Sequence, residues 1–381
     1  MTNLHEISQL EFEQLKDIAP ERYQIIDIRD EYAFEYGHIP GAMNVPSGAL
    51  LERAEGFSKE KLLVLCCKSG SVSEQAAGKL KMKGYAAASL SGGYYGWLRG
   101  RIGGADKAKE AEQSIRKTYH KEIWSKFAKA IKNYELVQPG DKIAVCISGG
   151  KDSMLMAKLF QELKRHNKFP FEVVFLVMDP GYSPENREII EMNAKSLNVP
   201  ITVFESDIFD AVFNIEKSPC YICARMRRGY LYRHAGDLGC NKIALGHHYD
   251  DVIETILMGM LYGAQVQTMM PKLHSTNFPG MELIRPMYLI REDDIKRWRD
   301  YNDLHFIQCA CRFTDTCSID GSGNTGSKRV EIKKLIASLK EVNPQVESNI
   351  FRSMENVNLA TVIGYKDKDG HHSFLDTYDK I

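Results

Sequence analysis

No apolar run in this 381-residue chain reaches the length needed to cross a bilayer. The opening residues, Met1-Thr2-Asn3-Leu4-His5-Glu6, lack the basic and apolar regions of a secretory leader. A cytoplasmic protein without membrane contact is therefore expected. Net charge is also missing. Fifty Lys and Arg balance fifty Asp and Glu, so there is no global nucleic-acid signature, and any RNA contact must be local. Internal repeats and long low-complexity tracts are absent. Cysteine is present nine times, but in a large cytosolic chain that speaks against a disulfide framework and for metal binding or catalysis. What remains is ordinary globular composition, 44% hydrophobic and 26% charged, in a chain long enough for two or three domains.

The most informative segment is Lys142-Ile143-Ala144-Val145-Cys146-Ile147-Ser148-Gly149-Gly150-Lys151-Asp152-Ser153. A β-type run stops at a Gly-rich turn, and a helical pattern follows from Met154 to Leu163. Backbone N–H groups at such a turn can reach phosphate oxygens, and the helix dipole favours the negative charge. Lys151 adds a cation, and Ser148 and Ser153 add hydroxyls. A Walker A loop would need four residues between Gly and Gly-Lys. Ser148 to Ser153 instead resembles the pyrophosphate loop of the N-type ATP pyrophosphatases, which adenylate a substrate and release pyrophosphate.

Around this loop, strand candidates alternate with helical patterns. Ile143–Ile147 precedes a helix at 153–164, Glu172–Met178 a helix near 184–196, Ile201–Phe204 a region holding a cysteine pair, and Lys242–Leu245 a helix from Asp250 to Leu261. The alternation predicts a parallel sheet with helices on both faces. Ligands in such sheets lie beyond the strand C-termini, which is where Ser148, Asp179 and Gly246 fall. A break near Gly100 to Ala105 separates an N-terminal domain, 1–105, from a connecting helix, 106–135. A loop-ATPase domain at 136–345 and a C-terminal extension at 346–381 follow. Gly321 to Gly326 reads as a flexible loop.

Two N-terminal stretches stand out: Ile25-Ile26-Asp27-Ile28-Arg29-Asp30-Glu31-Tyr32, and Gly37-His38-Ile39-Pro40-Gly41-Ala42-Met43-Asn44-Val45-Pro46. After them a buried strand, Leu62–Leu65, delivers Cys66-Cys67-Lys68-Ser69-Gly70-Ser71-Val72-Ser73 to a turn and helix; Leu90-Ser91-Gly92-Gly93 and Trp97 come later. A Cys at a loop that opens a helix is ringed by N–H groups that stabilise a thiolate or persulfide anion. This pattern resembles the rhodanese family over residues 8–100. In that family's register Cys67 is the nucleophile and Cys66 a buried strand residue. Val72 stands where many rhodaneses carry Arg. That weakens anion binding and favours a protein persulfide donor, such as a cysteine desulfurase, over thiosulfate.

In the larger half, Pro219-Cys220-Tyr221-Ile222-Cys223 precedes a helical pattern, and Cys309-Ala310-Cys311 lies far downstream. A C-x-x-C alone serves zinc, redox or cluster sites. Three thiolates with one open position suit a [4Fe–4S] cluster. A run without acids, Lys217 to Arg233, contains Arg225, Arg227 and Arg228, which suit tRNA phosphates as well as a solvated helix face. Six segments together resemble the TtcA family of tRNA 2-thiocytidine synthetases: Ser148–Ser153, Cys220–Gly229, Ala244–Asp251, Met270–Leu273, Ile284–Met287 and Ile307–Cys309. The resemblance implies an α/β chain in two parts. One is a rhodanese-like α/β domain; the other is a PP-loop domain, a parallel sheet like the adenine nucleotide alpha hydrolases. It further implies ATP, Mg²⁺ and a [4Fe–4S] cluster on Cys220, Cys223 and Cys309, with Cys311 and, more weakly, Cys317 as rivals for the third position. Cys146 and Cys240 read as structural.

These expectations combine into an ATP-dependent sulfurtransferase that adenylates a tRNA base. Cytidine giving 2-thiocytidine is the base implied, with sulfur relayed from a Cys67 persulfide by way of the cluster. ATP would be held by Ser148, Gly149, Gly150, Lys151, Asp152, Ser153, Asp179, Gly246 and His247. Asp152 and Asp251 join Cys67 as catalytic candidates, with Asp250 and His248 beside them; for each of these acids and imidazoles a capping or packing role stays open. tRNA and a persulfide donor are the expected partners, and the family resemblance suggests a homodimer. Two alternatives stay open: the same chemistry on an acceptor other than tRNA, and a non-catalytic iron–sulfur sensor that binds ATP.

Overall fold

A computed structural model describes residues 6–103, 106–166, 169–206, 208, 219–307 and 328–378, without the side chains of 219–225. Its first sheet uses β1 (Glu6–Ile7), β2 (Tyr23–Asp27), β3 (Met43–Asn44), β4 (Leu62–Cys66) and β5 (Ala87–Leu90) in the order β1-β5-β4-β2-β3. Every pairing is parallel. The central strands must then be apolar on both faces, and Leu63, Val64, Leu65 and Cys66 of β4 are all buried. Helices α1 (Gln9–Ile18), α2 (Glu31–Tyr36), α3 (Ser71–Met82) and α4 (Gly93–Arg101) cover the sheet. A capping box between Ser8 and Glu11 starts α1.

The stretch 106–135, read as one connecting helix, is two: α5 (Lys107–Arg116) and α6 (Ser125–Asn133), joined through a π-helical turn at His120–Trp124. The physical reason is the spacing of buried residues. Ile115 and Ile123 are eight apart, which overshoots two α-turns. The extra residue of the wider turn brings Ile123 and Phe127 back onto the face that buries Ala111 and Ile115.

The second sheet contains β6 (Lys142–Ile147), β7 (Glu172–Asp179), β8 (Ile201–Glu205), β9 (Lys242–Ala244), β10 (Lys272–His274) and β11 (Glu282–Ile284), in the order β10-β11-β9-β6-β7-β8. Five strands are parallel, as the alternation predicts; β10 alone runs antiparallel, at the edge. From β6 the chain winds outward through α7 (Lys151–His166), β7, α8 (Pro184–Ser196) and β8. It then returns by α9 (Pro219–Asp237) to the other side of β6, and α10 (Tyr249–Gly263) follows β9. The reversal makes a crevice between the C-terminal ends of β6 and β9. Ser148 and Gly246 lie at its two sides. Helices α11 (Glu292–Tyr301), α12 (Lys328–Val342) and α13 (Val346–Ser353) close over this end, and a hairpin of β12 (Gly364–Asp367) and β13 (Gly370–Ser373) with the short α14 (Leu375–Tyr378) ends the described chain.

The two halves meet through helices and loops rather than through their sheets. Trp97 of α4 meets His305 edge-on at 5.3 Å, Arg99 pairs with Glu188 at 2.9 Å, and the end of α2 touches the β6–α7 loop. Among the described residues no helix is long and apolar enough to cross a membrane.

Candidate active site

The loop after β4 is organised around one sulfur atom. Cys67 Sγ accepts from the Gly70 N–H at 3.1 Å, the Ser73 N–H at 3.4 Å and the Ser73 hydroxyl at 3.2 Å. These donors belong to the first turn of α3 and the residue before it, so the positive helix end also faces the sulfur. Gly93 makes the fit possible. It has φ +57°, and a Cβ there would lie 2.5 Å from the Cys67 carbonyl oxygen. Cys66 ends β4, fully buried, and burial first, then Asp27, pushes its thiol well above the usual range. Cys66 is therefore a packed thiol, and Cys67 is the one cradled by donors.

The loop after β6 has the same strand–turn–helix plan. Gly149 takes φ +86°, and a Cβ would strike Ile190 at 2.5 Å. The Ser153 hydroxyl donates to the Gly150 carbonyl at 3.0 Å and accepts from the Ser148 N–H at 3.2 Å, which ties the turn shut. Lys151 is buried, with Nζ 3.0 Å from Asp152 and 3.1 Å from Glu292. Burial works against its charge, but Asp152, Tyr36 and Glu292 outweigh it and raise its pKa. The Lys151 N–H donates to the Tyr36 hydroxyl at 3.1 Å.

Across the crevice, Gly246 lets the end of β9 approach the first turn of α7; a Cβ there would meet the Ser153 nitrogen at 3.4 Å. His248 caps α10. Its N–H donates to Asp251 at 3.0 Å, and its imidazole lies 3.5 Å from Asp251 and 4.0 Å from Asp152. Burial presses the Asp251 carboxyl upward, but His248, His247 and Arg329 prevail and hold it below the ordinary range. Burial drops His247 to about 4, so it is neutral at physiological pH. Asp250 is occupied differently: it accepts from Arg291 at 2.9 Å and from the Glu292 N–H at 2.7 Å. It is a brace between α10 and α11. Asp179 is also engaged, accepting from the Gly181 and Tyr182 N–H groups and pairing with Arg187 at 2.7 Å.

Four site residues lie outside every sequence motif. Glu292 bridges Lys151 and Lys333, the latter at 3.1 Å. Burial raises its pKa, but the two lysines pull it strongly down. Lys333 and Arg329 reach in from α12, Arg329 to within 3.4 Å of Asp251 and 3.0 Å of Glu254. Glu254 is buried, which raises its carboxyl to about 7. The acidic start of α11 reads in sequence as helix capping and α12 as a charged surface helix, so only the fold gathers them here.

Asp152 Oδ1 and the Nδ1 atoms of His247 and His248 are buried without a hydrogen-bond partner among the described residues. With the loop N–H groups and Lys151 they form the donor and acceptor set that a nucleotide triphosphate and a divalent ion fit. Cys220 and Cys223 stand three residues apart within the first five residues of α9, and Arg225, Arg227 and Arg228 follow on the same helix. Cys309, Cys311, Cys317 and Lys217 lie outside the described residues, as does the 321–326 loop. Among the described residues no group of three or more His, Cys, Asp or Glu could hold a metal. Cys146 and Cys240 are buried free thiols.

Comparison with known proteins matches both halves. The PP-loop domain model matches residues 119–311. The chain belongs to the PP-loop family. The rhodanese-like domain model matches residues 11–100. The tRNA-cytidine(32) 2-sulfurtransferase of Anaeromyxobacter dehalogenans is 32% identical over 252 residues, covering 65% of this chain and 82% of that protein. The enzyme of the same name from Paraburkholderia phytofirmans is 33% identical over 243 residues, covering 62% and 68%. A solved U34-tRNA thiolase, NcsA from Methanococcus maripaludis, determined with its [4Fe–4S] cluster, matches 65% of this chain and 78% of its own, at 20% identity and TM-score 0.46. The protein is a PP-loop sulfurtransferase with a rhodanese domain.

Proposed function

We propose that this PP-loop sulfurtransferase activates a cytidine of tRNA with ATP and exchanges its carbonyl oxygen for sulfur carried on Cys67, giving 2-thiocytidine. One observation carries the reading: a glycine turn with a buried lysine at the switch point of a parallel sheet, facing buried polar atoms that lack partners among the described residues. The relatives named above act on tRNA cytidine by name.

A carbonyl oxygen leaves poorly; adenylation converts it to AMP. The N–H groups of Gly149, Gly150 and Lys151 would bind the departing pyrophosphate, and Lys151 would trade its bond with Glu292 for a phosphate oxygen. Glu292 keeps that lysine extended before ATP arrives. Mg²⁺, when bound, would balance the remaining phosphate charge, with Asp152 and Asp251 at its reach. His247, neutral and buried, can accept or donate a single hydrogen bond to the nucleotide or base. Asp179 sits at the adjoining strand end, with its carboxylate already in use.

Sulfur would arrive on Cys67 as a persulfide, received from a protein donor such as a cysteine desulfurase. The Gly70 and Ser73 donors that stabilise a thiolate also stabilise the terminal persulfide anion. A [4Fe–4S] cluster on Cys220, Cys223 and Cys309, when bound, would supply an open iron at which sulfur can be held. Arg225, Arg227 and Arg228 continue the same helix and would contact the tRNA backbone. We place the enzyme in the cytoplasm and infer a homodimer from its family.

The test is direct. Anaerobically purified enzyme, reconstituted with iron and sulfide, is given ATP, unmodified tRNA, a desulfurase with cysteine, and a dithiol as reductant. Release of AMP and pyrophosphate that depends on tRNA, with 2-thiocytidine in the digested nucleosides, supports the reading. AMP release without any thiolated nucleoside would point to another acceptor. No AMP under any condition would sink it.

A further inference from the structure

The phosphate loop already holds a ligand from its own chain. Tyr36 is the last residue of α2, on the rhodanese side. Its hydroxyl accepts the Lys151 N–H at 3.1 Å and lies 3.3 Å from where a Cβ of Gly150 would be. The Lys151 ammonium sits 5.3 Å from the centre of its ring. Those are the backbone donor and the side-chain cation that a pyrophosphate oxygen would meet. The tyrosine is fixed from both sides. Arg299 of α11 donates to its carbonyl at 2.5 Å, and Arg29 donates to the next carbonyl, of Gly37, at 2.7 Å. Burial lifts the Tyr36 phenol to about 12, so it stays neutral.

We propose that Tyr36 holds the place of a phosphate oxygen, so that a nucleotide triphosphate and the docked rhodanese domain compete for the phosphate loop. This rests on the reading of Gly149 to Lys151 as the ATP loop. A neutral phenol is a weaker partner for an N–H than a charged phosphate, so the nucleotide displaces it. The displaced ring has somewhere to go: a cavity of 230 Å³ lined by Tyr36, Tyr94, Arg299, His305 and Phe306 adjoins it. The same cavity wall leads to the sulfur loop, because the Tyr94 N–H donates to the Cys67 carbonyl at 2.8 Å. Nucleotide binding therefore loosens the contact that holds Cys67 and its loop at a fixed distance from the ATP site, and sulfur delivery follows activation of the substrate.

The full-length protein is titrated calorimetrically with α,β-methylene ATP, which keeps the α–β bond intact, and hydrogen exchange is read over Glu31–Gly37 and Gly93–Ile102. Removing the competing hydroxyl by Tyr36→Phe tightens binding by about threefold to tenfold, the worth of one neutral hydrogen bond. In the wild type the nucleotide raises exchange in both segments. Arg299→Ala frees the Tyr36 carbonyl while leaving the hydroxyl in place, and tightens binding in the same direction; it serves if the Phe variant does not fold. Equal or weaker binding in both variants, or unchanged exchange on saturation, overturns the competition. Binding to none of the three proteins removes the ATP-loop reading itself, and the inference with it.

Discussion

The two loops of this chain are built alike and used oppositely. Each follows a buried parallel strand, turns on glycine and opens a helix whose N–H groups point into the turn. After β4 the donors converge on Cys67, an acceptor the chain supplies covalently. After β6 they surround no such atom among the described residues; a tyrosine from the other half meets one donor, and Lys151 is held by Glu292. The cradle that contains its own acceptor atom fits a sulfur carrier. The one that leaves its donors for a visitor, with a cation stored beside it, fits a nucleotide. The position of the turn relative to the sulfur or the glycines, more than the fold around it, separates the two chemistries.

The largest expected break is at the cation. Lys151→Met leaves the visitor's loop without its charge, and thiolation should fall by about a thousandfold, as for loss of a preorganised electrostatic contact. The AMP-release assay reads this, with circular dichroism checking that the fold survives. Persulfide loading of Cys67 should be unchanged, because its donors, Gly70 and Ser73, do not involve Lys151. The converse variant, Cys67→Ser, should abolish transfer from a desulfurase. ATP binding should stay within about twofold of wild type, as distant sites act additively.

Gly149→Ala tests the turn. The φ of +86° and the 2.5 Å approach to Ile190 predict a loss of about 1–3 kcal/mol in urea unfolding. Ser73→Ala removes one of three donors to Cys67 and should slow sulfur loading by about threefold to tenfold. The smallest effect concerns Glu254. Its carboxyl is raised to about 7 in the folded protein, first by burial, from 4.5. The folded state therefore holds a proton that the unfolded state has released, and stability is present below pH 4.5 and lost as pH rises to about 7. Glu254→Gln should flatten the decline of melting temperature between pH 5 and 7.5.

Much of this was legible in the chain. Ser-Gly-Gly-Lys-Asp-Ser after an apolar strand marks its loop by local chemistry, and the strand and helix alternation foretells the parallel sheet. Cys67 is legible for the same reason: its donors are within six residues of it. What sequence could not give is the partnership of distant elements. Tyr36 and Lys151 are 115 residues apart, Lys151 and Glu292 are 141 apart, and neither pairing leaves a periodic or compositional trace. The antiparallel edge of β10 and the π turn before α6 were hidden likewise, because both answer to packing rather than local propensity. Asp250 stands beside the candidate Asp251 in sequence, but its role as a brace follows only from the position of Arg291.

The central claim is that the two loops act in series. It is tested most directly by a single-turnover chase. Cys67 is loaded with ³⁵S from a desulfurase, the donor is removed, and ATP, tRNA and a dithiol are added. The account predicts that label leaves Cys67 and appears in 2-thiocytidine, mole for mole with AMP, and that Lys151→Met blocks its departure. Label that stays on Cys67 while unlabelled thiocytidine forms would contradict it.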